Sequence, residues 1–189
     1  MKRRDFLKRA GQGTVALASA PALAQLLSRA ALGQGGSTNY HFLAFSSAGL
    51  VGTVDHRVAM VGDGSVTPGG VTGGGAFVHF DNAPPAPKPI LFTGSWKARR
   101  LLSYQQFGTW GTFASAVLEM EINLVPSGGS PVPALLKVVC NIGPAAIFVV
   151  PPSPEGFTLT VPGFPPFTPL VPPLGLTLFT TVNEQRGSG

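Results

Sequence analysis

Along most of this chain, apolar and polar positions trade places every few residues. Short runs rich in Val, Leu, Phe and Thr are set off by Gly, Pro and Asn, the pattern of many short strands joined by turns. It predicts strands over 39–46, 50–54, 56–61, 75–81, 89–94, 96–104, 113–125, 134–142, 145–150, 156–161 and 174–182. Two glycine-rich stretches, Gly62-Asp63-Gly64-Ser65 and 69–75, read as loops between strands. Past the N-terminal segment no stretch sustains the 3.6-residue apolar period of a helix, and from Pro84 onward prolines recur every few residues. The expectation is an all-β domain, an antiparallel β-sandwich, with a β-barrel as the alternative.

Charge alternation registers one hairpin. Lys97 and Arg99 alternate on one predicted strand, Glu119 and Glu121 on the next. Placing Lys97 opposite Glu121 and Arg99 opposite Glu119 keeps the constant index sum of an antiparallel pair. It turns Trp96, Ala98, Leu102, Ala114, Leu118, Met120 and Ile122 to the other, core-facing side. Arg100 then falls on that apolar side, the one conflict in the scheme. Segment 151–173 is proline-rich and reads as an extended connection containing the strand at 156–161. Its Phe157, Phe164 and Phe167 are expected to pack on the domain's own sheet.

The first residues follow another logic. Lys2, Arg3, Arg4, Lys8 and Arg9 form a basic start, residues 10–24 are uncharged, and Ala22-Leu23-Ala24 precedes Gln25 as a small-residue cleavage pattern. The core Arg3-Arg4-Asp5-Phe6-Leu7-Lys8 resembles the twin-arginine signal consensus, departing from it in having Lys2 where Ser or Thr is usual. The resemblance is confined to residues 1–34. It implies a bacterial or archaeal passenger that folds before the twin-arginine translocase moves it, and a periplasmic, extracellular or cell-surface destination. The apolar part is shorter than the roughly 20 residues of a membrane span, so no transmembrane anchor is expected. The layout is therefore a signal peptide and flexible joint over 1–34, then a single β-domain over 35–189.

Setting the signal aside changes the charge picture. Of 13 basic and 8 acidic residues, six basic and one acidic lie in residues 1–34. The remainder is electrically balanced, so the basic character is no argument for nucleic acid. A poorly charged, balanced body tends to associate, which raises a homo-oligomer or a cell-surface partner as an expectation. The lone cysteine, Cys140, lies in a predicted strand, makes no intramolecular disulfide and reads as a buried thiol.

Candidate chemistry is sparse. His41, His56 and His79, with Asp81 close by, could hold zinc, copper or iron if folding gathers them, although their spacing matches no standard metal pattern. Gly62-Asp63-Gly64 lacks the oxygen ligands of a calcium loop and reads as a turn. No Gly-x-Ser-x-Gly motif or nucleotide-binding loop is present. Glu119 and Glu121 could pair for glycoside chemistry, but nearby basic residues are expected to neutralise them. Trp110, with Phe107 near a hairpin tip, could stack on a sugar or a partner. The functional expectation is a non-enzymatic exported β-domain with a binding or surface-assembly role and no assigned cofactor. The alternative is a small exported metalloprotein or oxidoreductase with a His/Asp transition-metal site.

Overall fold

In Ser37–Gly49, the first strand (β1), Thr38, Tyr40, Phe42, Ala44, Ser46 and Ala48 are buried, while the residues between them face outward. This period-two alternation is the pleat of a strand with one face on a core. The computed structural model describes residues 37–49, 55–143 and 154–182. The segment expected to be a twin-arginine signal and the strands expected at 50–54 and 145–150 lie outside the described residues. The other elements are β2 (Asp55–Thr67), β3 (Gly70–Asp81), β4 (Ile90–Trp110), β5 (Phe113–Pro126), β6 (Val132–Cys140), β7 (Gly156–Thr160), β8 (Thr168–Pro169) and β9 (Gly175–Val182). The all-β, antiparallel expectation therefore holds. Among the described residues no helix is long and apolar enough to cross a membrane.

The pairing order is β4–β3–β2–β1–β9–β5–β6–β7, and β4 also pairs with β5. The strands thus return to their start in a closed ring. Two devices fill the gap between β1 and β5. At one end β9 pairs with Ser37 to Ala44 of β1 and with Phe113 and Ala114 of β5. At the other end β6 takes over on β5 from Ala116 to Leu124, and β8 pairs with Ser46 and Ser47 of β1. A bridge between Leu159 and Phe167 ties β7 to the segment leading into β8.

Of the glycine stretches expected to be loops, Gly69 lies in the turn between β2 and β3, and the rest is strand, in β2 and β3. The reason is size. One inward row runs Phe42–Gly62–Gly75–Trp96 across β1 to β4. A Cβ on Gly62 would stand 2.1 Å from Cζ2 of Trp96, so the missing side chain is the space the indole occupies. The Trp96 Nε1–H donates to the Val61 carbonyl at 3.0 Å, and Phe42 stacks on the ring at a centroid distance of 5.7 Å. Tyr40 leans in the same way over Gly64 and Gly73 and donates its hydroxyl to the Thr72 carbonyl at 2.9 Å. Each fully buried large side chain contributes about 1.5–3 kcal/mol. These two also satisfy their polar ends.

The β4–β5 hairpin forms, with a different register. The strands expected at 89–94 and 96–104 are one strand, with register shifts between Ala98 and Arg100, Leu101 and Ser103, and Gln106 and Gly108. Bulges add unpaired residues and reset which side chains face in. Lys97 therefore lies opposite Asn123, Arg100 opposite Glu121, and Ser103 opposite Glu119. Arg100 points outward and clasps Glu121 through Nε–H to Oε2 at 3.1 Å and through Nη2, which removes the conflict in the expected register. Trp96, Ala114, Leu118, Met120 and Ile122 are buried as expected, but Leu102 is exposed. In the proline-rich segment Phe157 and Phe167 are buried, while Phe164 is largely exposed.

Candidate functional site

Two inward rows nearer the β6–β8 end of the ring than Phe42 and Trp96, the positions are Ser46, Val58, His79 and Phe92, directly opposed across β1 to β4. A register shift beside His79 brings Phe80 opposite Ile90 and skips Leu91. Above this row lies a cavity of about 380 Å³. Phe77 and Leu124 line it from β3 and β5, and Val132 and Leu159 from β6 and β7. Val161, Pro162, Phe164 and Phe167 of the proline-rich segment complete it. Its size and apolar lining fall in the range of small-molecule sites.

Among the described lining residues, His79 is the one side chain with a polar ring. It is 8% exposed. Phe92 stacks on it at 5.8 Å between ring centroids and Phe167 meets it edge-on at 5.4 Å. Its Nε2 lies 3.0 Å from Nδ1 of His56 on β2, so one imidazole donates to the other. Burial, and then the neighbouring His56, hold the His79 pKa below the ordinary imidazole value. At neutral pH the cavity wall therefore presents an uncharged imidazole, bonded on one side to a second imidazole.

The candidate metal residues are only partly gathered. His56 and His79 meet. Asp81 lies opposite His56 in the β2–β3 register, yet its Oδ1 accepts the Ala83 N–H at 2.9 Å and closes a turn. His41 faces the other side of the sheet, where its Nδ1 lies 3.9 Å from Oδ2 of Asp63 and both side chains are exposed. Among the described residues no group of three or more His, Cys, Asp or Glu side chains is placed to hold a metal ion. Asp63 itself sits in β2, not in a turn.

Of the two cations expected beside Glu119 and Glu121, the charge of Arg99 does act on Glu121, while the direct ion pairs are made by Arg100 and Lys137. Lys137 Nζ lies 3.6 Å from Glu119, which also accepts the Ser103 hydroxyl at 3.1 Å. The hydrogen bond from Arg100 holds the Glu121 carboxyl below its usual range. Cys140 is buried at the end of β6, and burial, then the charge of Glu155, pushes its thiol up to about 12. Trp110 is largely exposed beside the Gly111–Thr112 turn. On the outer face Leu176, Leu43 and Val61 form an exposed cross-strand row.

Sequence reasoning singled out His79 and missed the cavity around it. The lining residues run from Val58 to Phe167 and come from strands distant in the chain. Nothing local marks Phe92 or Phe167 among the 13 phenylalanines. The usable signal was Val-His-Phe on a strand together with aromatic residues spaced through the proline-rich segment. Compared with protein-family models, curated proteins and solved structures, the chain shows no match to any of them.

Proposed function

We propose that this protein is exported by the twin-arginine translocase and works outside the cytoplasm as a non-enzymatic binding domain for small apolar molecules. The export half rests on Arg3, Arg4, Phe6, Leu7 and Lys8. The binding half rests on one observation, the apolar cavity of about 380 Å³ with a single imidazole in its described lining. Ligand pockets of this kind combine a large apolar lining with few polar groups that fix orientation.

The test is a titration of the exported protein with a neutral apolar fluorophore such as N-phenylnaphthylamine. Saturable binding to one site per chain is expected. Val161→Trp, which fills the cavity from a half-buried position outside the strands, removes that site while leaving the β-rich circular dichroism spectrum in place. Binding that Val161→Trp leaves unchanged in a folded protein contradicts the proposal. Self-association is part of the same reading and is supported by the outer Leu176–Leu43–Val61 row. Light scattering over a concentration series checks it.

A second reading is favoured by the imidazole pair. Two nitrogens bound to one zinc ion at 2.0–2.1 Å in tetrahedral geometry stand about 3.3 Å apart, close to the 3.0 Å between His56 Nδ1 and His79 Nε2. Metal analysis of folded protein decides it. One equivalent of a transition metal, lost in His56→Ala/His79→Ala, puts this reading first.

A further inference from the structure

The described lining of the cavity contains no Asp, Glu, Lys or Arg. Among the described lining side chains, the one able to bond a polar atom of a guest is the imidazole of His79. Its Nε2 is already engaged with Nδ1 of His56. Among the described residues nothing bonds its Nδ1, and that atom is not among the sealed polar atoms without a partner. Nδ1 therefore remains the nitrogen available to a guest.

The pair has two neutral tautomers. If His79 donates Nε2–H to His56, its Nδ1 is an acceptor. If His56 donates Nδ1–H to His79, the Nδ1 of His79 carries the proton and is a donor. A hydroxyl group, both donor and acceptor, satisfies either arrangement. A carboxylate satisfies only the second, and it arrives as an anion with no cation in the described lining to meet it. Removing an ion from water without a partner costs far more than removing a hydrogen-bonded hydroxyl.

Resting on the reading of the cavity as a binding site, we propose that its ligand is a neutral hydrophobic alcohol, held with its hydroxyl on His79, and that the site rejects the matching carboxylate. Phe92 and Phe167 fix the imidazole from a face and an edge, so the hydroxyl meets a group already in place. His56 is a positioning residue for the pair and does not line the cavity. The apolar tail lies among Phe77, Leu124, Val132 and Leu159.

The test uses the full exported protein loaded with N-phenylnaphthylamine, with displacement by decanol and by decanoate compared at about pH 8, where the acid is fully ionised. Decanol is expected to displace the probe at least about tenfold more strongly than decanoate. His79→Phe is expected to weaken decanol while leaving the probe bound, and His79→Gln, which keeps a donor and an acceptor, to restore part of the difference. Equal displacement by the two ligands overturns the proposal. So does a decanol affinity that His79→Phe leaves unchanged, or a failure of both ligands to compete while the probe still binds in a Val161-dependent way. In each of these cases the binding site itself stands. Absence of Val161-dependent probe binding instead removes the site and the ligand class together.

Discussion

At His79, burial and the neighbouring imidazole act in the same direction, both against the charged form. The folded state therefore binds a proton less readily than the unfolded chain, whose histidine titrates near 6.5. The stability associated with the neutral ring is fully present above that value and is lost as the pH falls below it, because the unfolded chain takes up the proton first. Denaturant titrations from about pH 8 down to about pH 5.5 are expected to show this decline, and His79→Phe to flatten it. Cys140 follows the opposite sign for the same physical reason. Its thiol, pushed up to about 12, stays protonated at neutral pH, and only the thiolate attacks. Native protein is expected to resist iodoacetamide at about pH 8 and to react with it once unfolded, which a mass shift reads directly.

For the strands, the glycines of β2 and β3 matter more to stability than the surface ion pairs of β4 and β5. Gly62→Ala places a Cβ 2.1 Å from Trp96 Cζ2 and 2.7 Å from the Gly74 carbonyl oxygen. Overpacking of this kind costs about 1–3 kcal/mol, and each kcal/mol lowers Tm by about 2–4 °C in a domain of this size. Arg100→Ala removes an exposed pair and is expected to leave Tm nearly unchanged. The same contrast explains what could be read in advance. Alternation marked β1, β5 and β7, because one face of each is buried and a pleat repeats every two residues. Gly62 to Ser65 and Gly69 to Gly75 read as loop because local composition cannot reveal the Trp96 and Tyr40 rings that need the space. The ion pairs were displaced because bulges in β4 depend on closing the ring, and no pairwise charge rule contains that condition.

For the whole molecule, ring closure creates the cavity. β9 fills one end of the gap between β1 and β5. At the other end β6, β7 and the proline-rich segment leave the space over Val58, His79 and Phe92. That segment read as a wrap in the sequence, and Phe157 and Phe167 do pack inward. Its role as a cavity wall could not be read because it depends on strands more than one hundred positions earlier, such as β2. The export proposal belongs to this scale too. Arg3→Lys together with Arg4→Lys is expected to leave an uncleaved precursor in the cytoplasm, scored by fractionation and intact mass. The chain's three histidines make the most direct test of the binding proposal, since His79 lines the cavity, His56 bonds to it and His41 stands on the outer face. Imidazole NMR during titration with a neutral apolar ligand is predicted to move the His79 and His56 resonances and leave His41 unmoved. Resonances of His79 and His56 that stay fixed at saturating ligand contradict the account.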